Sequence, residues 1–290
     1  MNFLQWFPGH MAKAEKMMRE SASVCDGSIC VLDARAPYAC FNGRLVKILG
    51  EKPVVFLLNK ADLANESETA DWERLFKKNK RRAVISEAVS PKCAKAVISA
   101  VNEAFEDKRE RDFKRGINRP VRVMVTGIPN TGKSTVINML SGSKRAVTGD
   151  KAGVTRGKQW IRLGEIELLD TPGVMPPSFE SQRLAMHLAY IGCLNDSLLD
   201  FPSLSLELIG ELKKISPAAI TQRYGTEIEE EMTNLEILES IAKKRGYLLK
   251  GGDYDYDRAA FALIDDFRKN RLGRITLESA SEESFSEKLK

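Results

Sequence analysis

The sequence predicts a doubly wound α/β domain followed by a smaller all-α one, and three observations lead to that reading. The first is the apolar run Val121–Thr126, which enters Gly127-Ile128-Pro129-Asn130-Thr131-Gly132-Lys133-Ser134-Thr135 and then a helical pattern at 136–140; this reads as strand, glycine-rich loop, helix. The second is a pair of short apolar runs at 28–33 and 53–58, which suit buried parallel strands. The third lies beyond residue 175: stretches 184–194, 204–215, 235–247 and 259–271 repeat apolar residues every three or four positions. The expected domains are 1–175 and 176–277. The Ser/Glu-rich segment 278–290 is expected to be a disordered tail.

Each element follows in order. Residues 2–10 set Trp6, Phe7, Pro8, Gly9 and His10 ahead of a helix expected at 11–21. A helix is expected at 41–49. The strand at 53–58 delivers Asn59-Lys60-Ala61-Asp62 to its C-terminal end, where open α/β sheets bind ligands. An amphipathic helix at 72–80 and a strand at 83–86 lead to Ser86-Glu87-Ala88-Val89-Ser90, and a charged helical stretch at 92–115 leads to the strand at 121. Residues 141–158 are polar and hold Gly153-Val154-Thr155-Arg156-Gly157, the pattern of a switch loop or of a plain turn. Runs at 160–163 and 165–169 form a hairpin around Gly164, ending in Asp170-Thr171-Pro172-Gly173.

The residue types carry a specific chemistry. Gly127 and Gly132 let backbone N–H groups from Asn130 to Thr135 curl around phosphate oxygens, and the following helix adds the positive end of its dipole. Lys133 would reach the β- and γ-phosphates, and the Ser134 hydroxyl would ligate the Mg²⁺ that bridges them. At 59–62 the ligand that fits is guanine: the Asp62 carboxylate accepts from N1–H and the 2-amino group, the Asn59 amide would satisfy the other edge, and the Lys60 stem would lie along the base. A backbone N–H from Ser86, Glu87, Ala88, Val89 or Ser90 would meet the guanine O6, and the sequence leaves open which. Thr155 would ligate Mg²⁺ and sense the γ-phosphate, Asp170 would hold Mg²⁺ through water, and the Gly173 N–H would meet the γ-phosphate.

Composition narrows the partners. The chain of 290 residues has a net charge of +5. Residues 1–175 carry ten more basic than acidic side chains, and residues 176–277 three more acidic than basic. A polyanion partner is therefore expected at the front part. No apolar run approaches the roughly 18 residues needed to span a bilayer, and the N-terminus lacks a signal-peptide pattern, so a cytosolic protein without membrane partners is expected. The five cysteines form no C-x-x-C pair and no cluster with histidine.

The motifs G-x-x-x-x-G-K-S, D-T-P-G and N-K-A-D resemble those of the translation-factor class of GTPases, but here N-K-A-D precedes the phosphate loop. With W-F-P-G-H-M-A-K-A at 6–14, K-R-G-Y-L-L-K-G-G-D-Y-D-Y-D-R at 244–258 and L-G-R-I-T at 272–276, the chain is similar, from residue 3 to about 277, to the bacterial family of circularly permuted ribosome biogenesis GTPases. The resemblance implies Mg²⁺-dependent GTP hydrolysis in late assembly of the large (50S) ribosomal subunit. It also implies a ribosomal precursor and rRNA as partners, ribosome-stimulated turnover, and RNA binding by the helical domain. Val174 occupies the place of the water-positioning glutamine of Ras-like enzymes and can orient nothing. The resemblance therefore gives His10 a catalytic role beside Lys133, although from the residues alone His10 reads equally as a turn or RNA contact. His187, the other histidine, is expected in the core. The resemblance also makes Asn130 a K⁺ ligand, and a monomer is expected. Two other functions compete: a regulatory module acting on a protein effector, and a P-loop kinase, against which N-K-A-D argues.

Overall fold

The computed structural model describes residues 8–90, 92–142, 159–176, 179–281 and 283–289. Its centre is a six-stranded sheet built from β1 (Gly27–Asp33), β2 (Val54–Asn59), β3 (Arg82–Ile85), β4 (Val121–Thr126), β5 (Gln159–Leu163) and β6 (Ile166–Asp170). The order is β3-β2-β1-β4-β6-β5. All neighbours are parallel except β5 and β6, which pair as an antiparallel hairpin. Every residue of β1 is buried because both sheet faces are covered. Side-chain alternation divides the strands between two cores: Cys30, Leu32, Phe56, Leu58, Met124 and Leu169 face one, and Ile29, Val31, Val55, Leu57, Val125 and Leu168 the other.

The winding decides where a ligand fits. The chain steps outward from β1 to β2 to β3, then returns to place β4 on the far side of β1. The topological switch point lies between β1 and β4, at the carboxyl ends of the strands. That crevice receives the turns after β1, β2, β4 and β6.

Helices α1 (Pro8–Val24), α2 (Pro37–Cys40), α3 (Gly43–Leu49), α4 (Glu66–Lys78), α5 (Cys93–Ala104), α6 (Glu106–Lys114) and α7 (Lys133–Ser141) complete this part. The helix expected at 41–49 begins only at Gly43, and the one expected at 92–115 is divided. Between α2 and α3, Phe41 is extended and the Asn42 side chain accepts from the Arg44 and Leu45 amides, starting a new helix. The stretch at 92–115 breaks at Phe105, whose fully buried ring lies where a Gly27 side chain would stand.

Beyond the sheet the chain is helical, as expected: α8 (Gln182–Tyr190), α9 (Phe201–Ile215), α10 (Ala218–Tyr224), α11 (Asn234–Arg245) and α12 (Tyr256–Arg268). A capping box of Thr233 and Glu236 starts α11. Leu188, Leu208 and Leu263 share one core with Met124 and Leu169 of the sheet, so the helical part is seated directly on one sheet face.

The tail departs from expectation. Glu278 is buried, and α13 (Glu283–Leu289) docks on the α/β part through Phe285. The Phe285 ring lies 5.0 Å from Tyr38, 5.1 Å from Phe41, 4.9 Å from Trp72 and 5.7 Å from Phe76, centroid to centroid. One aromatic anchor in a four-ring box orders a segment whose composition is otherwise that of a flexible chain. Among the described residues, no helix is long and apolar enough to cross a membrane.

Candidate nucleotide site

The loop after β4 is shaped by two glycines. Gly127 has φ +139°, and a Cβ there would lie 2.4 Å from the Val31 carbonyl oxygen on β1. Gly132 has φ +93°, and its Cβ would lie 2.4 Å from Asn59 Nδ2. Neither position accepts a side chain. Thr131 is buried, its hydroxyl donating to Ile128 O at 3.1 Å. Lys133 opens α7, buried, with Nζ donating to Ile128 O at 2.6 Å; burial pulls its ammonium down to about 8. Ser134 and Thr135 follow in the first helical turn.

The turn after β2 is fastened to this loop. Asn59 Nδ2 donates to Thr131 O at 2.8 Å, while the Ala88 N–H donates to Asn59 Oδ1 at 3.0 Å. Both ends of the amide are therefore held by protein. Asn59 thus ties three sequence-distant turns together, using one N–H of its amide nitrogen and one lone pair of its oxygen. Lys60, left-handed at φ 59°, donates from Nζ to Asn130 O at 2.6 Å and pairs with Asp33 Oδ2 at 2.9 Å, so its ammonium end is held by protein. Asp62 sits in a short 3-10 turn, Ala61–Leu63. In the third turn, the Ser86 amide serves Leu58 O, and the Glu87 amide donates weakly to Cys93 Sγ at 3.4 Å. Ser86 Oγ is buried and has no hydrogen-bond partner among the described residues.

The turn after β6 closes the crevice. Asp170, at the strand end, is buried, and the Thr171 hydroxyl donates to Val125 O at 2.6 Å. A Cβ on Gly173 would lie 2.7 Å from Pro129 and 2.9 Å from Lys133 Nζ, so the D-T-P-G turn rests on the phosphate loop. The Val174 N–H donates to Gly127 O at 3.2 Å. His10 lies in the first turns of α1, and Thr155 lies outside the described residues.

The helical part reaches the same loops. Asn130, left-handed at φ 61°, donates from Nδ2 to Gly192 O at 2.7 Å, and Asn270 Nδ2 donates to Asp62 O at 3.3 Å. The basic side chains Arg268, Lys269 and Arg271 are each matched to an acid of the same part. Arg268 binds Asp196 through two bonds of 2.8 Å and caps the Ala189 and Tyr190 carbonyls, Lys269 pairs with Asp265, and Arg271 pairs with Asp266. His187 is buried as expected, but as a charged group: its ring nitrogens meet Glu278 Oε1 at 2.7 Å and Glu211 Oε2 at 2.9 Å. Burial alone would pull its pKa down; the two glutamates outweigh burial and raise it to about 9. No local pattern marks these acids, which lie 24 and 91 residues away.

Turns separated by more than a hundred residues thus form one crevice with a phosphate cradle at one end and a carboxylate turn at the other. A family model described as 50S ribosome-binding GTPase matches residues 122–218. The chain is 37% identical to Ribosome biogenesis GTPase A of Bacillus cereus, over 96% of this chain and 95% of that protein. It is 32% identical to Ribosome biogenesis GTPase A of Thermotoga maritima, over 95% and 94%. Among solved structures it is similar to GNP-bound YlqF from T. maritima, with TM-score 0.64 and 27% identity, covering 93% of this chain and 99% of that one.

Proposed function

This chain belongs to the ribosome biogenesis GTPase A family, and on that premise we propose that it hydrolyses GTP while docked on a precursor of the large ribosomal subunit. The observation that carries the reading is the direct fastening of N-K-A-D to the phosphate loop, Asn59 to Thr131 and Lys60 to Asn130, which makes the two turns parts of one nucleotide site. The reversed gene order of these turns matches a circular permutation. The sheet keeps the loop strand β4 at its centre.

Within that site, Asp62 accepts the guanine N1–H and 2-amino hydrogens, and the buried Ser86 hydroxyl supplies a donor beside the base. The cradle from Asn130 to Thr135 receives the phosphates, with Lys133 as its fixed cation and the Gly173 N–H meeting the γ-phosphate. The Ser134 hydroxyl in the first turn of α7 and the Asp170 carboxylate at the adjoining strand end form the oxygen donor set that Mg²⁺ takes, with Thr155 as a third ligand. Bound there, Mg²⁺ would neutralise charge developing between the β- and γ-phosphates. His10 positions the attacking water where Val174 cannot, and Asn130 offers its amide oxygen to K⁺.

The domain division at 175/176 follows the end of the D-T-P-G turn. Because the chain runs from Gly173 into α8, loss of the γ-phosphate acts on the helical part. With Arg268 engaged internally and Lys269 and Arg271 neutralised at the surface by Asp265 and Asp266, the rRNA-facing surface of that part is Lys243, Lys244 and Lys250 around the half-exposed Leu248, Leu249 and Tyr256. The protein acts as a cytoplasmic monomer. The test is GTP turnover with and without large-subunit precursor particles at graded salt. Stimulation that fades as salt rises, and is lost in His10→Ala, is expected; turnover indifferent to the particle would refute the docking role.

A further inference from the structure

Left-handed backbone at non-glycine residues is costly and concentrates where function demands it. Among the described residues four carry it: Lys60, Lys80, Asn130 and Asn270. Three of these four meet at the nucleotide loops. Lys60 Nζ bonds Asn130 O, Asn130 Nδ2 bonds Gly192 O, and Asn270 Nδ2 bonds Asp62 O.

Behind this clasp stands a buried carboxylate that no motif of the nucleotide site includes. Asp33, fully buried at the end of β1, accepts on Oδ1 from the Arg35 N–H at 3.1 Å and Nε at 2.9 Å. On Oδ2 it accepts from Arg35 Nη2 at 2.8 Å and meets Lys60 Nζ at 2.9 Å. Burial alone would push its pKa up; the Arg35 and Lys60 charges outweigh burial and hold the carboxyl well below the ordinary range. Arg35 Nη1 in turn donates to Arg268 O at the end of α12, and Arg35 O accepts from the Leu277 N–H. The contacts run in a chain from Gly192 through Asn130, Lys60, Asp33 and Arg35 to Arg268. The Arg268 guanidinium returns it to the turn that holds Gly192 by donating to the Ala189 and Tyr190 carbonyls.

We propose that Asp33 is a positioning residue for nucleotide binding, its carboxylate clamping the Lys60 ammonium onto the Asn130 carbonyl so that the phosphate loop is held in its left-handed form. An ion pair with Arg35 alone would leave Lys60 independent of Asp33. A shared oxygen makes the two dependent. The inference rests on the nucleotide-site reading above and can fail without it.

A double-mutant cycle on GDP binding tests it, using Asp33→Asn, Lys60→Met and the double variant of the full chain. Each single change is expected to raise the GDP dissociation constant about tenfold and to keep the preference for GDP over ADP. The double variant should be no weaker than Lys60→Met alone, because one clamp has been removed twice. Losses that add to about a hundredfold, or an Asp33→Asn protein that binds GDP as the wild type does, would overturn the proposal. Removing Asp33 strands the buried Arg35 charge, so a second cycle replaces that arm by the paired change Asp33→Asn, Arg35→Met, which removes both members of the pair, and combines it with Lys60→Met. If the wild type shows no preference for guanine nucleotides, it is the site reading that falls; if it does and the cycle is additive, only this inference falls.

Discussion

Asn59 Nδ2 stands 2.8 Å from the Thr131 carbonyl oxygen, while Asn59 Oδ1 receives the Ala88 N–H at 3.0 Å. One buried amide thus holds the phosphate loop, the N-K-A-D turn and the turn after β3 in register. Asn59→Ala leaves both partners unsatisfied in a buried place, at about 1–3 kcal/mol each. Guanine nucleotide affinity is expected to fall at least about tenfold together with the melting temperature, read by calorimetric titration and thermal unfolding.

The glycines allow no substitute. Gly132→Ala would set a methyl group 2.4 Å from Asn59 Nδ2 at φ +93°, and Gly127→Ala would set one 2.4 Å from Val31 O at φ +139°. Both variants are expected to lose measurable GTP binding. Gly142→Ala, with nothing within 4 Å and a positive φ, is expected to cost only about 1 kcal/mol of stability.

His187 makes stability depend on pH in a stated direction. Its folded pKa, about 9, lies above the unfolded value of 6.5 because Glu211 and Glu278 flank the ring. Its contribution is therefore complete below pH 6.5 and is lost as pH rises through 9. The raise corresponds to about 3 kcal/mol. The stability difference between wild type and His187→Gln is expected to be largest at pH 6 and to shrink by pH 9.5, measured by urea unfolding.

Phe285 fixes the tail. Emptying its four-ring box by Phe285→Ala should cost about 3–5 kcal/mol and lower the melting temperature by several degrees. An unchanged melting temperature would mean that α13 does not dock.

Much of this could be read from the residues. The loop motif, N-K-A-D and D-T-P-G are local patterns, so their chemistry and the permuted order were legible, and the helices after residue 181 announced themselves by periodicity. What escaped was set by distant partners. Arg268 is held by Asp196, 72 residues away in sequence. Glu278 looked like tail until its carboxylate was seen capping the Tyr38 and Ala39 amides and pairing with His187. Helix α10, seven residues long, is too short for a periodic signal. Asp33 sits at the end of an apolar run with no motif to mark it.

Two turns in reversed chain order are proposed to read one guanosine nucleotide. Calorimetric titration of the wild type and Asp62→Ala with GTP, GDP, ATP and ADP in Mg²⁺ tests it most directly. The account predicts guanine nucleotides bound about 10³-fold or more tightly than adenine nucleotides, with that preference gone in Asp62→Ala. ATP bound as tightly as GTP by the wild type would contradict it.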